Sequence, residues 1–333
     1  MGAGDCPSQI RVSIGSAILL GLAKGKMDAQ PTTLYLLTYH KGKCVANCGF
    51  CSQARTSTSR ADMLSRVTWP PFSTKHVIEE LKAAVERRLI ARVCVQAMNY
   101  RGVFTDLVGL VKEVRRANIP ISVSCQPLTG PQIKRFSTIG VDRICIPLDL
   151  PTKGLFEQVK GTLVGAPYLW ERHLVALEQA LHVFGRGRVS THLIVGLGES
   201  DKELIEIFQV LVDMGVYPSL FAFTPIPGTR MAERSQPPIQ RYRKMQLAHH
   251  LMTTGLARIE QMEFDGESNL IGLGVPEDAL MEVVRSGRPF MTSGCPGCNR
   301  PYFNERPGGL IYNFPRKPNM GEITRIERQI KGV

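Results

Sequence analysis

Long apolar runs are missing from this chain of 333 residues. The longest hydrophobic stretch, SAILLGLA at 16–23, is broken by glycine and falls far short of the roughly 18 or more residues that span a bilayer. No transmembrane helix is expected. Upstream of that stretch the sole cation is Arg11, and no small-residue cleavage site follows before Lys24, so no secretory signal is expected either. Compact basic runs, fixed repeats and low-complexity segments are also lacking. Lysine and arginine outnumber the acids 41 to 29, a net charge of +12. Without a clustered basic face, that surplus reads as solubility and attraction to acidic partners, not nucleic-acid binding. Aromatic residues are only 7%, but 43% hydrophobic and 21% charged residues exclude a disordered or fibrous chain. Nine cysteines, an odd number in a chain this long, exclude a regular secreted disulfide framework. Thiolate chemistry in the cytoplasm is expected instead.

Short β-branched runs do recur, separated by amphipathic helical patterns. They are LYLLTY at 34–39, ARVCVQA at 91–97, IPISVSC at 119–125, DRICIPL at 142–148, RVSTHLIV at 188–195 and PSLFAF at 218–223. In the first intervening helix Val77, Ile78, Leu81, Ala84 and Val85 fall on one face, with Glu79, Lys82 and Glu86 opposite. Strand, helix, strand in series implies parallel strands with right-handed crossovers. The expected fold is α/β, a TIM-type (β/α) barrel, complete or partial, with chemistry at the C-terminal ends of the strands. The expected division is an N-terminal extension at 1–30, a barrel at 31–265, and a C-terminal extension at 266–333 rich in glycine, proline and asparagine. Both extensions are expected to lie over the barrel mouth.

Directly after the first strand comes Cys44-Val-Ala-Asn-Cys48-Gly-Phe-Cys51. Three thiolates in this C-x3-C-x2-C spacing can wrap one face of an iron-sulfur cube and leave one iron open. A structural zinc site is the alternative, but it needs a fourth protein ligand. Elsewhere, Leu193-Ile194-Val195-Gly196-Leu197-Gly198-Glu199 ends a strand in a glycine turn, Gln96-Ala97-Met98-Asn99 ends another, and Asp149 ends a third. Asp149 suits either a ribose hydroxyl or a helix N-cap. Arg172 opens a helix, where it can fork-bind a carboxylate or simply be solvated. In the tail, Ser293-Gly-Cys295-Pro-Gly-Cys298-Asn-Arg-Pro-Tyr302, followed by Asn304-Glu-Arg306-Pro307-Gly-Gly309, places two thiols in a chelating knuckle whose alternatives are zinc or a redox dithiol.

The triplet, with Phe50 just before its last cysteine, resembles the radical S-adenosylmethionine superfamily. That resemblance implies a 4Fe-4S cluster on Cys44, Cys48 and Cys51 whose open iron is chelated by S-adenosylmethionine. One electron then cleaves the cofactor to a 5'-deoxyadenosyl radical. It further implies cofactor contacts at Phe50, Ala97, Asp149, Arg172, Ile194 and Gly196. Residues 30–260 are similar to biotin synthase, in which two cysteines matching Cys94 and Cys125 help hold a second cluster inside the barrel. Here Ser190 replaces the third cysteine ligand of that site, no arginine is convincingly placed for the fourth, and Cys94, Cys125 and Cys145 read as packing residues or a vestige.

The Cys-Pro-Gly-Cys tail on such a barrel resembles the split type of lipoyl synthase, in which two sister radical proteins act on one octanoylated carrier. This implies sulfur insertion at C6 or C8 of a protein-bound octanoyl chain. The carrier is a lipoyl domain or a protein of the glycine-cleavage H type, and ferredoxin or flavodoxin supplies the electron. An auxiliary 4Fe-4S cluster on Cys6, Cys295 and Cys298, with Ser293 as a further oxygen ligand, supplies the sulfur. Biotin synthase and a non-catalytic iron-sulfur or zinc scaffold remain the alternatives.

Overall fold

A computed structural model describes residues 6–305 and 308–331, so Asp5 and, within the tail motif, Arg306 and Pro307 lie outside the described residues. The strands are β1 (Gln9–Val12), β2 (Thr33–Thr38), β3 (Met63–Leu64), β4 (Val67–Thr68), β5 (Pro71–Ser73), β6 (Arg92–Gln96), β7 (Ile121–Ser124), β8 (Arg143–Cys145), β9 (Val189–Val195), β10 (Tyr217–Ala222), β11 (Glu263–Phe264) and β12 (Leu270–Gly272). Eight form one open sheet in the order β10-β9-β8-β7-β6-β2-β1-β5. From β2 through β10 they are parallel, and these six are the strands expected from the β-branched runs. β1 and β5 extend the sheet antiparallel, so residues placed in an N-terminal extension supply a sheet strand. Because β10 and β5 remain the two edges, the barrel is partial.

Helices cover the outer face. In α2 (Thr74–Glu86), Val77, Ile78, Leu81 and Ala84 are buried as their spacing requires, and Val85 is half-buried beside them. Burying a side chain such as Leu81 is worth about 1.5–3 kcal/mol. β2 is buried on both faces, the signature of a parallel strand sandwiched between layers.

Inner and outer faces follow from the strand register, in which Tyr35 pairs with Cys94, Cys94 with Ser122, Ser124 with Cys145, and Cys145 with Ser190. In TIM barrels such inward positions carry mostly bulky branched residues. Here they carry cysteine and serine, and a cavity of about 220 Å3 occupies the centre.

The tail lies along the open seam of the sheet. Thr32, just before β2, donates its backbone N–H to Asn299 Oδ1 at 3.0 Å and its hydroxyl to the Gly297 carbonyl. Asn304 Nδ2 donates to the Ala222 carbonyl at the C-terminal end of β10, at 3.1 Å. Residues 297–304 therefore run from the lower end of the strands to the mouth. Ser65, in the β3–β4 turn, donates to the Phe303 carbonyl at 2.9 Å and ties the other side of the seam.

Candidate functional site

The loop after β2 carries the cysteine triplet at the mouth of the barrel. Backbone bonds hold it in shape: Cys44 N–H to the Gln53 carbonyl at 2.9 Å, Val45 N–H to Asn99 at 2.8 Å, and Gly49 N–H to Val159 at 2.7 Å. Lys43 Nζ donates to the Ser52 carbonyl at 2.7 Å, and Asn47 Nδ2 to Val164 at 2.7 Å. Cys44 Sγ accepts from Asn99 N–H at 3.3 Å, so the chain after β6 supports one sulfur directly. Burial pushes the Cys48 thiol well above its ordinary range and that of Cys51 up to about 12; the nearby Cys51 and Cys44 sulfurs add to the rise at Cys48, and Cys44 to that at Cys51. Among the described residues no three histidine, cysteine or acidic side chains close around a single metal ion. Three soft donors from one short loop, backed by a cavity of about 160 Å3, fit a polynuclear cluster with one open position better than they fit an ion. Phe50, Ala97 and Asp149 line that cavity with the triplet.

Asp149 is the most constrained of these residues. It sits at φ 73°, a left-handed conformation uncommon for a non-glycine residue, pinned by its N–H to the His192 carbonyl at 2.7 Å and by Ile194 N–H to its own carbonyl at 3.0 Å. Its Oδ2 pairs with Lys160 Nζ at 2.7 Å, where Lys160 is fully buried. It is not the helix cap, because Thr152 accepts from Leu155 N–H at the start of α5 (Lys153–Val159). Lys160 belongs to no motif, and nothing in the sequence marks it.

Gly196 occupies a tight turn at φ 104°, where an added Cβ would meet Pro237 at 3.0 Å. Its N–H and that of Leu197 donate to the Glu199 carboxylate at 2.7 and 2.8 Å, and Arg241 fixes that carboxylate at 3.0 Å. Ile194 faces the central cavity. Arg172 is exposed at the start of α6 (Trp170–Phe184) and lines an outer pocket that shares Ala97, Asn99 and Tyr168 with the triplet cavity; its guanidinium has no partner among the described residues. Tyr168 hydroxyl accepts from Asn99 Nδ2 at 3.2 Å beside the triplet, a contact that the sequence did not signal.

The tail knuckle is a β-turn with Pro296 second and Gly297 third at φ 77°, closed by Cys298 N–H to the Cys295 carbonyl at 2.9 Å. Pro296 and Gly297 are exposed, whereas both sulfurs reach the central cavity. Cys295 Sγ lies 3.3 Å from Ser122 Oγ, and Cys298 Sγ 3.3 Å from the Tyr35 hydroxyl.

Two expected members of this group are elsewhere. Cys6 packs near α3 (Val103–Arg115), where burial first, then Glu113 and Asp106, pushes its thiol up to about 11; the N-terminal segment pairs into the sheet and does not carry it to the knuckle. Ser293 Oγ accepts from Leu220 N–H at 2.7 Å and caps the open edge of β10, so its hydroxyl is already engaged. The biotin-synthase pair is split as well. Cys94 lines the central cavity, while Cys125, one residue past Ser124, is buried against the triplet cavity instead.

A profile described as "Radical SAM superfamily" matches residues 38–211, more than half of the chain. The chain belongs to the radical S-adenosylmethionine superfamily. Members bind a 4Fe-4S cluster and S-adenosylmethionine. Biotin synthase from Acinetobacter calcoaceticus is 26% identical over 230 residues, 67% of this chain and 63% of that protein, so the chain spans less than two thirds of this relative. Biotin synthase from Synechococcus sp. (strain JA-3-3Ab) is 25% identical over 278 residues, covering 79% of this chain and 82% of the relative. Among solved structures, methylornithine synthase superposes with a TM-score of 0.53 at 14% identity, covering 67% of this chain and 62% of that one. The hydrogenase maturase HydG from Carboxydothermus hydrogenoformans superposes at 0.52 and 15% identity, covering 72% and 55%. These two likenesses establish the partial-barrel fold alone.

Proposed function

We propose that this protein is a sulfur-inserting radical enzyme that acts on C6 or C8 of an octanoyl chain carried on a lysine of a lipoyl-domain or H-type carrier protein. A sister radical protein completes the second insertion, and ferredoxin or flavodoxin supplies the electron. Cys44, Cys48 and Cys51 hold the radical cluster, and Cys295 and Cys298 belong to a second, sulfur-donating centre. The observation that carries this reading is a single cavity with Phe50, Cys51 and Asp149 at one end and Cys295 and Cys298 at the other. Hydrogen abstraction alone needs one centre, whereas forming a carbon–sulfur bond needs a sulfur source on the far side of the substrate carbon.

When bound, the cluster and S-adenosylmethionine supply a 5'-deoxyadenosyl radical that removes one hydrogen atom from the substrate. The chain's own part is to hold, orient and exclude water. The wall between the two ends includes Ile144, Ile194, Phe221, Phe223 and Ile226, an apolar lining suited to an alkyl chain. Asp149, held by Lys160, faces the cofactor end for a ribose hydroxyl. Arg172, exposed at the outer pocket, is offered to a carboxylate.

Biotin synthase is the second reading, favoured by relatives at 25–26% identity. The placement of Cys94 in the central cavity and of Cys125 in the triplet cavity weighs against it. The deciding assay supplies an octanoylated lysine peptide with the sister enzyme, and dethiobiotin in a parallel reaction, each read by mass for one or two added sulfurs. Sulfur on dethiobiotin alone would transfer the assignment to biotin synthesis. If S-adenosylmethionine and dithionite release no 5'-deoxyadenosine, the protein is a non-catalytic scaffold.

A further inference from the structure

We propose that Cys94 and Cys145 complete the ligand set begun by Cys295 and Cys298, so that a four-thiolate iron-sulfur centre sits inside the barrel. The inference rests on the sulfur-insertion reading only for what that centre does, not for where it is.

The first support is strand register. Cys94 on β6 and Cys145 on β8 both point inward, two strands apart across β7, and both line the central cavity. Between them Ser122 Oγ reaches Cys295 Sγ at 3.3 Å, so the tail thiol seats directly against this wall. Cys94 lies within electrostatic reach of Cys295, Cys298 and Cys145, while burial holds its thiol well above the ordinary range.

A second support is independent of the thiols. Inward positions that normally hold bulky aliphatic side chains hold Ser122, Ser124, Ser190 and Ser219, and the space left is about 220 Å3. Small polar side chains at these inward positions leave room at the barrel centre beside the wall that suits an alkyl chain. The alkyl substrate suits the upper, apolar end. The lower end, lined by sulfur and hydroxyl, suits a polar inorganic group with soft-metal affinity.

Four thiolates satisfy all four irons of a cube, whereas the triplet leaves one iron open. Arg300, held by its Nη2 to the Ser293 carbonyl at 2.6 Å and stacked 3.8 Å from the Phe221 ring, places a cation on the cavity wall to offset the excess negative charge. The two centres therefore differ in kind, with S-adenosylmethionine able to bind only the upper one.

The test is iron and sulfide analysis with Mössbauer and EPR spectra on the full chain, reconstituted anaerobically, for the parent and for Cys94→Ala/Cys145→Ala, Cys6→Ser and Cys125→Ser. The parent and the last two should hold about eight irons, and the double variant about four. In that variant the remaining cluster's EPR signal should still shift on adding S-adenosylmethionine, which shows that the barrel is folded. Full iron in the double variant, loss of the second cluster in Cys6→Ser or Cys125→Ser, or one zinc per chain in place of the second cluster would each overturn the assignment. Two clusters with the expected variant pattern but no sulfur-containing product would leave the ligand set standing and refute the sulfur-insertion reading instead.

Discussion

The two cysteine groups are built in opposite ways. Cys44, Cys48 and Cys51 come from one short loop, tied down by neighbours such as Gln53 and Asn99 and open toward the mouth. Cys94, Cys145, Cys295 and Cys298 come from two strands and a distant tail turn, and they line one cavity because the tail crosses the seam that the partial barrel leaves open. A local group can be recognised from spacing, and its loss leaves the barrel intact. A group assembled from distant segments depends on docking, so the tail's anchors at Thr32 and Ala222 matter as much as the sulfurs.

The sharpest way to break the comparison is at the loop. Replacing any one of Cys44, Cys48 or Cys51 with alanine should abolish 5'-deoxyadenosine formation while circular dichroism stays unchanged, because backbone hydrogen bonds to Gln53, Asn99 and Val159 hold the loop without the sulfurs. Continued cofactor cleavage in such a variant would refute the assignment of the triplet.

At the tail the two reactions should separate. Cys295→Ala/Cys298→Ala should retain 5'-deoxyadenosine production and lose sulfur incorporation by two orders of magnitude or more. Thiolated product at the parent's rate would make the knuckle structural.

A smaller effect is expected where the two regions share a wall, at Asp149. Lys160→Met leaves a buried carboxylate without its cation, and one-sided loss of a buried pair costs about 3–5 kcal/mol, read as a lower urea midpoint. Asp149→Asn should weaken S-adenosylmethionine binding as well, by the loss of a charge-assisted bond worth about 1.5–3 kcal/mol. Equal cofactor affinity in Asp149→Asn would confine that residue to holding Lys160.

The smallest effect is a pH slope shared by the whole barrel. Burial lowers His173 to about 3 and His249 to about 4, so both are neutral when folded and bind protons on unfolding below their usual 6.5. Their contribution is complete above pH 6.5 and is lost as pH falls toward 4 and then 3. His173→Gln should flatten the dependence of the urea midpoint on pH between 6 and 4, and an unchanged slope would show that the imidazole is not the titrating group.

The six parallel strands were legible because β-branched runs and the 3.6-residue helical period are local properties, set by sterics within a few residues. So were the cysteine triplet, whose spacing is set by the loop itself, and the Pro-Gly turn that aims Cys295 and Cys298 the same way. That Cys94 lines the central cavity and Cys125 the triplet cavity was not legible, since each position depends on the register that strand pairing imposes. Cys6 was misplaced for the same kind of reason: β1 pairs with β2 and carries the N-terminal segment toward α3, a long-range choice decided by sheet hydrogen bonds. Lys160 found Asp149 only through burial, which no spacing encodes. The sequence by itself determined the elements and the chemistry of each short motif. Which motifs face one another across the cavity was decided by tertiary packing, because the energy of closing a seam or filling a void belongs to residues far apart in the chain.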